Sequence, residues 1–137
     1  MNVLLDTNVI LDFFLLREPG ISEATKIFEL VYREKIEAFT TSNSITDIYY
    51  ITAKRLGDTP ARDMLKNLLS ILSVISVNGA DCITALDLLI PDFEDALVAV
   101  CAKKVEIDYI ITNDKRFLCI DPRLANVISA EAFTEIR

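Results

Sequence analysis

Short apolar segments alternate with helix-like patterns along this chain, and the alternation restricts the folds open to it. Apolar and β-branched content predicts strands over residues 2–5, 38–41, 74–77 and 109–111, with a weaker fifth over 126–128. Apolar residues at helical spacing predict helices over 21–33, 44–55, 61–72, 80–89 and 93–103. Such β-α alternation favours an α/β protein with a largely parallel sheet and helices on both of its faces.

The length of 137 residues predicts one domain, spanning residues 1–137, with a single hydrophobic core. Apolar residues make up 52% of the chain, yet no apolar run approaches the roughly 20 residues that a membrane span requires. The start Met1-Asn2-Val3 lacks a basic leader and a small-residue cleavage site. We therefore expect a cytoplasmic protein with no membrane segment.

The set of reactive side chains excludes several kinds of site. Histidine is absent, so serine-histidine and cysteine-histidine nucleophilic mechanisms are excluded. Cys82, Cys101 and Cys119 are widely spaced and form no Cys-x-x-Cys pair, which argues against a disulfide framework and a zinc site. We expect reduced thiols that serve in packing. Acid–base chemistry must then use carboxylates, lysine, tyrosine or metal-bound water.

The charge of the chain limits how it can meet nucleic acid. A net charge of −7 disfavours general adhesion to nucleic acid, because such binding depends on an excess of Lys and Arg. It leaves room for a nucleic-acid substrate held through metal ions and a local basic rim. Lys115 and Arg116 are candidates for contact with such a backbone, although an exposed turn is the simpler explanation for this pair.

Carboxylates stand beside four separate apolar segments. Asp6 and Asp114 follow predicted strands, Asp95 opens a helix so apolar that it must be buried on nearly every side, and Asp47 lies inside an apolar helical pattern. Taken singly, most have a structural explanation. Asp6 is placed to cap the helix that begins at Thr7, Asp92 is the better cap candidate before the helix that Asp95 enters, and Asn113-Asp114 is typical of a turn.

The conjunction of these acids carries the functional argument. The carboxyl ends of parallel strands meet at one sheet edge, where α/β folds bind ligands. Four acids there, in a chain without histidine, favour oxygen ligation of a hard cation such as Mg²⁺ or Mn²⁺. Mg²⁺ uses one or two carboxylates and keeps several waters, one of which can be activated for attack. This chemistry suits hydrolysis of a phosphodiester.

Three motifs together resemble the PIN domain family. They are Leu4-Leu5-Asp6-Thr7-Asn8-Val9-Ile10-Leu11-Asp12, Asp95-Ala96-Leu97-Val98-Ala99 and Ile111-Thr112-Asn113-Asp114-Lys115-Arg116-Phe117. The resemblance covers essentially the whole chain and is greatest to small single-domain members, including the VapC-type toxins of toxin-antitoxin pairs. It implies a three-layer α/β/α sandwich around a mostly parallel sheet of four or five strands. It also implies an Mg²⁺- or Mn²⁺-dependent endoribonuclease acting on RNA, often a homodimer and, in toxin systems, inhibited by a cognate antitoxin.

The resemblance also assigns roles to residues. Asp6, Asp95 and Asp114 match family acids and are implied metal ligands, and Thr7, Asn8 and Thr112 fall at polar supporting positions. Asp92 and Asn113 stand next to these acids as further supporting residues. The second family acid is usually Glu, and here its position holds Asp47, which is one methylene shorter, so we expect Asp47 to contact metal through water.

Two alternatives compete with a nuclease. A phosphotransfer protein of the dehalogenase-like kind needs Asp-x-Asp after the first strand, whereas this chain has Asp6-Thr7-Asn8, and a receiver domain needs an acid after the third strand, which ends at Asn78. The other alternative is a catalytically weak or inactive PIN scaffold that binds RNA or a protein partner. Asp47 and Arg116, at a position that often carries an acid in the family, keep this second alternative open.

Overall fold

The computed structural model describes residues 1–137 and contains one sheet of five strands in the order β3-β2-β1-β4-β5. The strands are β1 (Asn2–Leu5), β2 (Glu37–Thr41), β3 (Ser73–Ile75), β4 (Tyr109–Ile111) and β5 (Val127–Ile128). All four pairings between neighbouring strands are parallel. The parallel α/β architecture expected from the alternation of elements is confirmed.

Eight helices connect and flank these strands. They are α1 (Thr7–Phe14), α2 (Ile21–Tyr32), α3 (Ser42–Leu56), α4 (Asp58–Ile71), α5 (Gly79–Leu86), α6 (Phe93–Lys104), α7 (Lys115–Leu118) and α8 (Ala130–Ile136). The prediction that a helix reaches residue 89 was wrong, because α5 ends at Leu86 and Leu89 is 88% exposed. Helices α7 and α8 were not predicted, since 4 and 7 residues are too few for a clear apolar period.

Apolar side chains pack on both faces of the sheet, which makes three layers. Successive side chains of a strand point to opposite faces. Val3 and Leu5 accordingly join the large cluster formed with α1, α2, α3, α4 and α8. Leu4 joins the opposite cluster with Val98 and Cys101 of α6.

Helix α6 is enclosed by the rest of the molecule. Eight consecutive residues, Asp95–Ala102, are buried, as its apolar composition predicts. Val98 and Cys101 pack toward the sheet, whereas Leu97 and Val100 belong to a third cluster that includes Ala85 of α5. Because α6 is packed on both sides, the position of Asp95 in its first turn is fixed.

Two composition-based expectations can be compared with the structure. None of the helices combines the length and apolarity needed to span a membrane. All three cysteines are free thiols, and Cys101 is buried in packing. Cys119 is exposed, so the expectation that every cysteine packs inside was wrong for this residue.

The strand order has a switch point between β1 and β4. From β1 the chain continues to β2 on one side, whereas β4 pairs with β1 on the other side. Asp6 N donates to Ile111 O at 3.0 Å and extends this pairing just past the strand ends. Open α/β sheets bind ligands outside the carboxyl ends of strands at such a point.

The C-terminal helix provides a test of the domain boundary, which we propose to enclose residues 1–137. Phe133 of α8 is fully buried, and its ring lies edge-on to Tyr109 with ring centroids 5.9 Å apart. We expect Phe133→Ala to lower the free energy of unfolding by about 3 to 5 kcal/mol, because it opens a cavity in the main core. Urea unfolding measures this. Ile136→Ala on the same helix, where the side chain is 53% exposed, is the matched control; equal effects of the two variants would contradict the boundary.

Candidate active site

A cavity of about 330 Å³ opens at the carboxyl edge of β1 and β4. Six carboxylates and one arginine line it together with uncharged residues. The carboxylates belong to Asp6, Asp47, Asp92, Glu94, Asp95 and Asp114. We call this cavity the acidic pocket. The negative charge of the acidic pocket favours a ligand that carries positive charge.

Asp6, at the end of β1, is held by three donors. Its Oδ1 accepts from the backbone N–H of Thr7 at 2.9 Å, so Asp6 also caps α1. Its Oδ2 accepts from Thr112 Oγ1 at 2.8 Å and from Asn8 Nδ2 at 3.2 Å. Burial nevertheless raises the pKa of Asp6, against the lowering effect of these hydrogen bonds, and the charge of Asp114 raises it further.

Thr112 joins β4 to this arrangement. Its side chain is fully buried, and besides donating to Asp6 it accepts from Asn8 Nδ2 and from the backbone N–H of Asp114, both at 3.1 Å. Asn8 Oδ1 in turn accepts from the backbone N–H of Asn113 at 3.0 Å. Polar side chains therefore hold the ends of β1 and β4 together, and most of their hydrogen-bond donors and acceptors are satisfied.

Asp95 has the most perturbed carboxyl group of the pocket. Asp92 caps α6 as predicted, and its Oδ1 accepts from the backbone N–H of Asp95 at 3.0 Å. Asp95 is only 8% exposed. Burial is the main cause that raises the pKa of Asp95 to about 7, and the charges of Asp92, Asp6, Asp114 and Glu94 contribute the rest of this increase. A nearby cation would remove this penalty.

The remaining carboxylates lie nearer solvent. Asp114 is exposed, and its Oδ1 accepts from the backbone N–H of Arg116 at 2.9 Å, which makes it the cap of α7. Asp47 on α3 is half-buried. Glu94 is exposed in the first turn of α6, where burial and then the charges of Asp47, Asp92 and Asp6 raise its pKa.

Most of the predicted site residues lie together. Asp6, Thr7, Asn8, Asp47, Asp92, Asp95 and Asp114 all line the acidic pocket, and Thr112 is bonded to Asp6 just beneath it. Asn113 instead lines a neighbouring cavity of about 440 Å³, where its side chain bonds to Asp12 and to the N–H of Ala130. Lys115 and Arg116 also lie outside the pocket, beside a shallow cavity with Leu89 and Pro91.

Glu94, Asn43 and Arg17 are among the pocket residues that were missed in the sequence. Glu94 was visible as a neighbour of Asp95, and Asn43 stands four residues before Asp47 on the same helix face. Asn43 Oδ1 is buried without a hydrogen-bond partner. Arg17 follows α1, and no motif or spacing pointed to it.

The donor set fits a hard cation. The pocket offers carboxylate oxygens and the unpartnered Asn43 Oδ1, which are ligand types that Mg²⁺ and Mn²⁺ accept. No three acidic side chains are grouped closely enough to share one ion. This agrees with Mg²⁺ binding through one or two carboxylates and water, rather than with a closed protein cage.

The chain belongs to the PIN domain family, whose sequence model matches residues 2–116. Ribonuclease VapC1 of Aquifex aeolicus (strain VF5) is 30% identical over 138 aligned positions, which cover 97% of this chain and 93% of that protein. The family resemblance drawn from the three motifs is thereby confirmed.

Solved structures share the fold at lower identity. VapBC2 from Rickettsia felis, bound to a promoter DNA fragment, gives a TM-score of 0.71 at 18% identity and covers 94% of this chain and 98% of its own. VapC20 from Mycobacterium tuberculosis, a toxin that cleaves the sarcin-ricin loop, gives 0.68 at 15% identity, with 85% and 92% covered. A toxin-antitoxin complex from Klebsiella pneumoniae gives 0.69 at 18%, with 93% and 97% covered. At these identities the likeness extends to the fold alone.

The raised pKa of Asp95 predicts how stability depends on pH. Because the folded-state pKa of about 7 lies above the ordinary aspartate value of 3.8, the metal-free protein loses stability as pH rises from about 4 to beyond 7. We expect Asp95→Asn to remove most of this loss and to raise the free energy of unfolding at pH 8 by about 2 kcal/mol, allowing for solvent screening of the shift. Urea unfolding at pH 5 and pH 8 with EDTA measures it. A variant that is no more stable than the parent at pH 8 would contradict the burial argument.

Proposed function

We propose that this chain is a divalent-metal-dependent endoribonuclease that hydrolyses RNA phosphodiester bonds, using Mg²⁺ or Mn²⁺, and that it is the toxin of a toxin-antitoxin pair. The observation that carries the proposal is the gathering of Asp6, Asp95 and Asp114 in one pocket at the switch point of a PIN domain. The 30% identity to a ribonuclease over almost the whole chain supports it.

The proposed metal ligands are Asp6, Asp95 and Asp114, each on a different element. One or two of them would contact an ion directly, and the remainder would act through its bound water. Thr112 and Asn8 orient the Asp6 carboxylate, and the buried α6 fixes Asp95. When bound, a divalent cation lowers the pKa of water and offsets negative charge on a phosphate. Its charge would also convert Asp95 to the carboxylate at neutral pH, because an opposite charge lowers a carboxyl pKa.

Proton transfer in this pocket falls to carboxylates, since the chain has no imidazole. Three pocket acids remain when Asp6, Asp95 and Asp114 hold the metal. Asp92 already caps α6, which leaves Asp47 and Glu94. We assign them to water-mediated support, with Glu94 at the exposed rim and Asp47 on α3. Glu94 has a raised pKa, which brings it closer to the operating pH of a general base.

A cognate antitoxin and a second copy of the chain are the proposed protein partners. Structural neighbours include toxin-antitoxin complexes from Rickettsia felis and Klebsiella pneumoniae, which supports the antitoxin. Helices α3 and α4 carry many apolar positions for a domain of this size. Ile48, Leu65 and Leu68 are buried in the core, whereas Tyr50 and Leu69 are 65% and 46% exposed and available to a partner.

Replacing the proposed ligands tests the nuclease function. We expect Asp6→Asn or Asp95→Asn to reduce Mn²⁺-dependent cleavage of single-stranded RNA of mixed sequence by about 100-fold or more, because charge stabilisation at the reacting phosphate is lost. Gel analysis of end-labelled RNA measures the rate. Asp63→Asn, an exposed acid on α4, is the control and should cleave like the parent. Parent-like rates in both ligand variants would reject the proposed site.

Metal binding separates an active nuclease from an inactive scaffold. We expect Mn²⁺ titration of the parent at pH 6.5 to show binding with proton release, because Asp95 is largely protonated there before metal binds. Isothermal calorimetry in two buffers of different ionisation enthalpy measures both quantities. Asp95→Asn should lose the proton release. Absence of measurable Mn²⁺ binding by the parent would favour the scaffold that binds RNA or protein without cutting.

A further inference from the structure

Arg17 is the one positively charged residue that lines the acidic pocket, among six carboxylates. It reaches the pocket because the chain reverses after α1. Leu16 adopts φ 51°, and the N–H of Arg17 donates to Asp12 O at 2.9 Å. The side chain then runs back along the helix, and its Nη2 donates to Asn8 O at 3.2 Å.

The guanidinium is fixed by bonds that leave most of its donors free. Nε donates to Asp12 Oδ1 at 3.0 Å, and Nη2 donates once, to the backbone of Asn8. Arginine carries five N–H donors, so Nη1 and the second Nη2 hydrogen have no protein partner. The Arg17 side chain is 36% exposed, so these donors are open to a ligand from solvent.

The salt-bridge partner of Arg17 is not one of the pocket acids. Arg17 bonds to none of the six pocket carboxylates but to Asp12, which lines the neighbouring cavity. Asp12 is only 13% exposed, and its Oδ2 also accepts from Asn113 Nδ2 at 3.4 Å. Gly20 leaves room for this carboxylate, because a Cβ there would lie 2.0 Å from Asp12 Oδ2. The salt bridge with Asp12 thus holds the Arg17 guanidinium in a position where it pairs with none of the pocket carboxylates.

We propose that Arg17 binds a phosphate of the RNA substrate at the edge of the acidic pocket. This inference rests on the proposed nuclease function. A pocket of six carboxylates repels an RNA backbone, and a fixed arginine fork supplies both positive charge and two parallel donors that match phosphate oxygens. Lys115 and Arg116 do not line this pocket, so Arg17 is the cationic side chain available to a phosphate there.

RNA binding under conditions without cleavage tests the proposal. In the Asp6→Asn background, fluorescence anisotropy with a labelled single-stranded RNA and Mn²⁺ is measured between 50 and 300 mM salt, on the order of the range where phosphate contacts are resolved. We expect Arg17→Gln to weaken binding about 10-fold or more and to reduce the slope of log affinity against log salt by about 0.7, the value for one phosphate contact on a single strand.

Two control variants separate phosphate binding from a structural role. Arg62→Gln removes a surface arginine with the same kind of Nε–Asp bond, to Asp58 at 2.8 Å, and should leave affinity and slope unchanged. Asp12→Asn keeps the Arg17 charge, so its slope should stay at the parent value even if its melting temperature falls. Arg17→Lys keeps charge but loses the fork, so its slope should persist while affinity falls.

The outcomes distinguish the two proposals. If the parent cleaves RNA and Arg17→Gln has the same salt slope as Arg62→Gln, the phosphate contact is overturned and the nuclease function stands. Should Arg17→Gln fail to fold, Arg17→Met, which keeps the aliphatic stem and removes the charge, takes its place, and a salt slope equal to that of Arg62→Gln would overturn the contact. A parent that neither cleaves nor binds RNA with Mn²⁺ present overturns both proposals.

Discussion

The burial of carboxylates at one sheet edge is the constraint on which this structure depends. Three of the acids, Asp6, Glu94 and Asp95, have raised pKa values, and for each the first cause is removal from water. Apolar side chains at these positions would make the fold more stable, since a buried charge without a partner is costly. The surrounding structure instead holds them in place, through bonds from Thr112 and Asn8 and through the burial of α6. Strain of this kind, concentrated at one pocket, is typical of functional sites.

The same edge shows how one side chain can serve two purposes. Asp6, Asp92 and Asp114 each accept a hydrogen bond from a nearby backbone N–H at the start of a helix. The caps predicted at Asp6 and Asp92 were correct, whereas Asp114 begins α7 where a turn was expected. A structural explanation thus exists for each acid. It did not exclude the functional one, because a carboxylate has lone pairs to spare after capping. The three capping residues, Asp6, Asp92 and Asp114, all line the acidic pocket, so the helices that they cap begin at this pocket. The capping geometry therefore contributes to the convergence of the acids.

Much of the fold followed from the sequence, because β1 and β4 are short apolar runs with clear ends and α6 is apolar throughout. The pocket acids followed too, since each stands directly beside such an element. Arg17 could not be predicted from spacing, because its position depends on the reversal at Leu16 and on a bond to Asn8, nine residues earlier. Asn113 was grouped with the site by sequence proximity, yet its side chain lies in the neighbouring cavity, since a strand end sends successive residues to opposite sides.

The pairing of β1 with β4 joins residues 3–5 to residues 109–111, so the pocket is closed by contacts between the two ends of the domain. Thr112 bonds to Asp6 across 106 positions of sequence. A growing chain therefore carries Asp6 with its neighbours Thr7 and Asn8 long before Thr112, its third donor, has been made. Contacts at such sequence separation form late, after their loop-closure entropy has been overcome. The acidic pocket is therefore complete only once β4 has been made and has paired with β1.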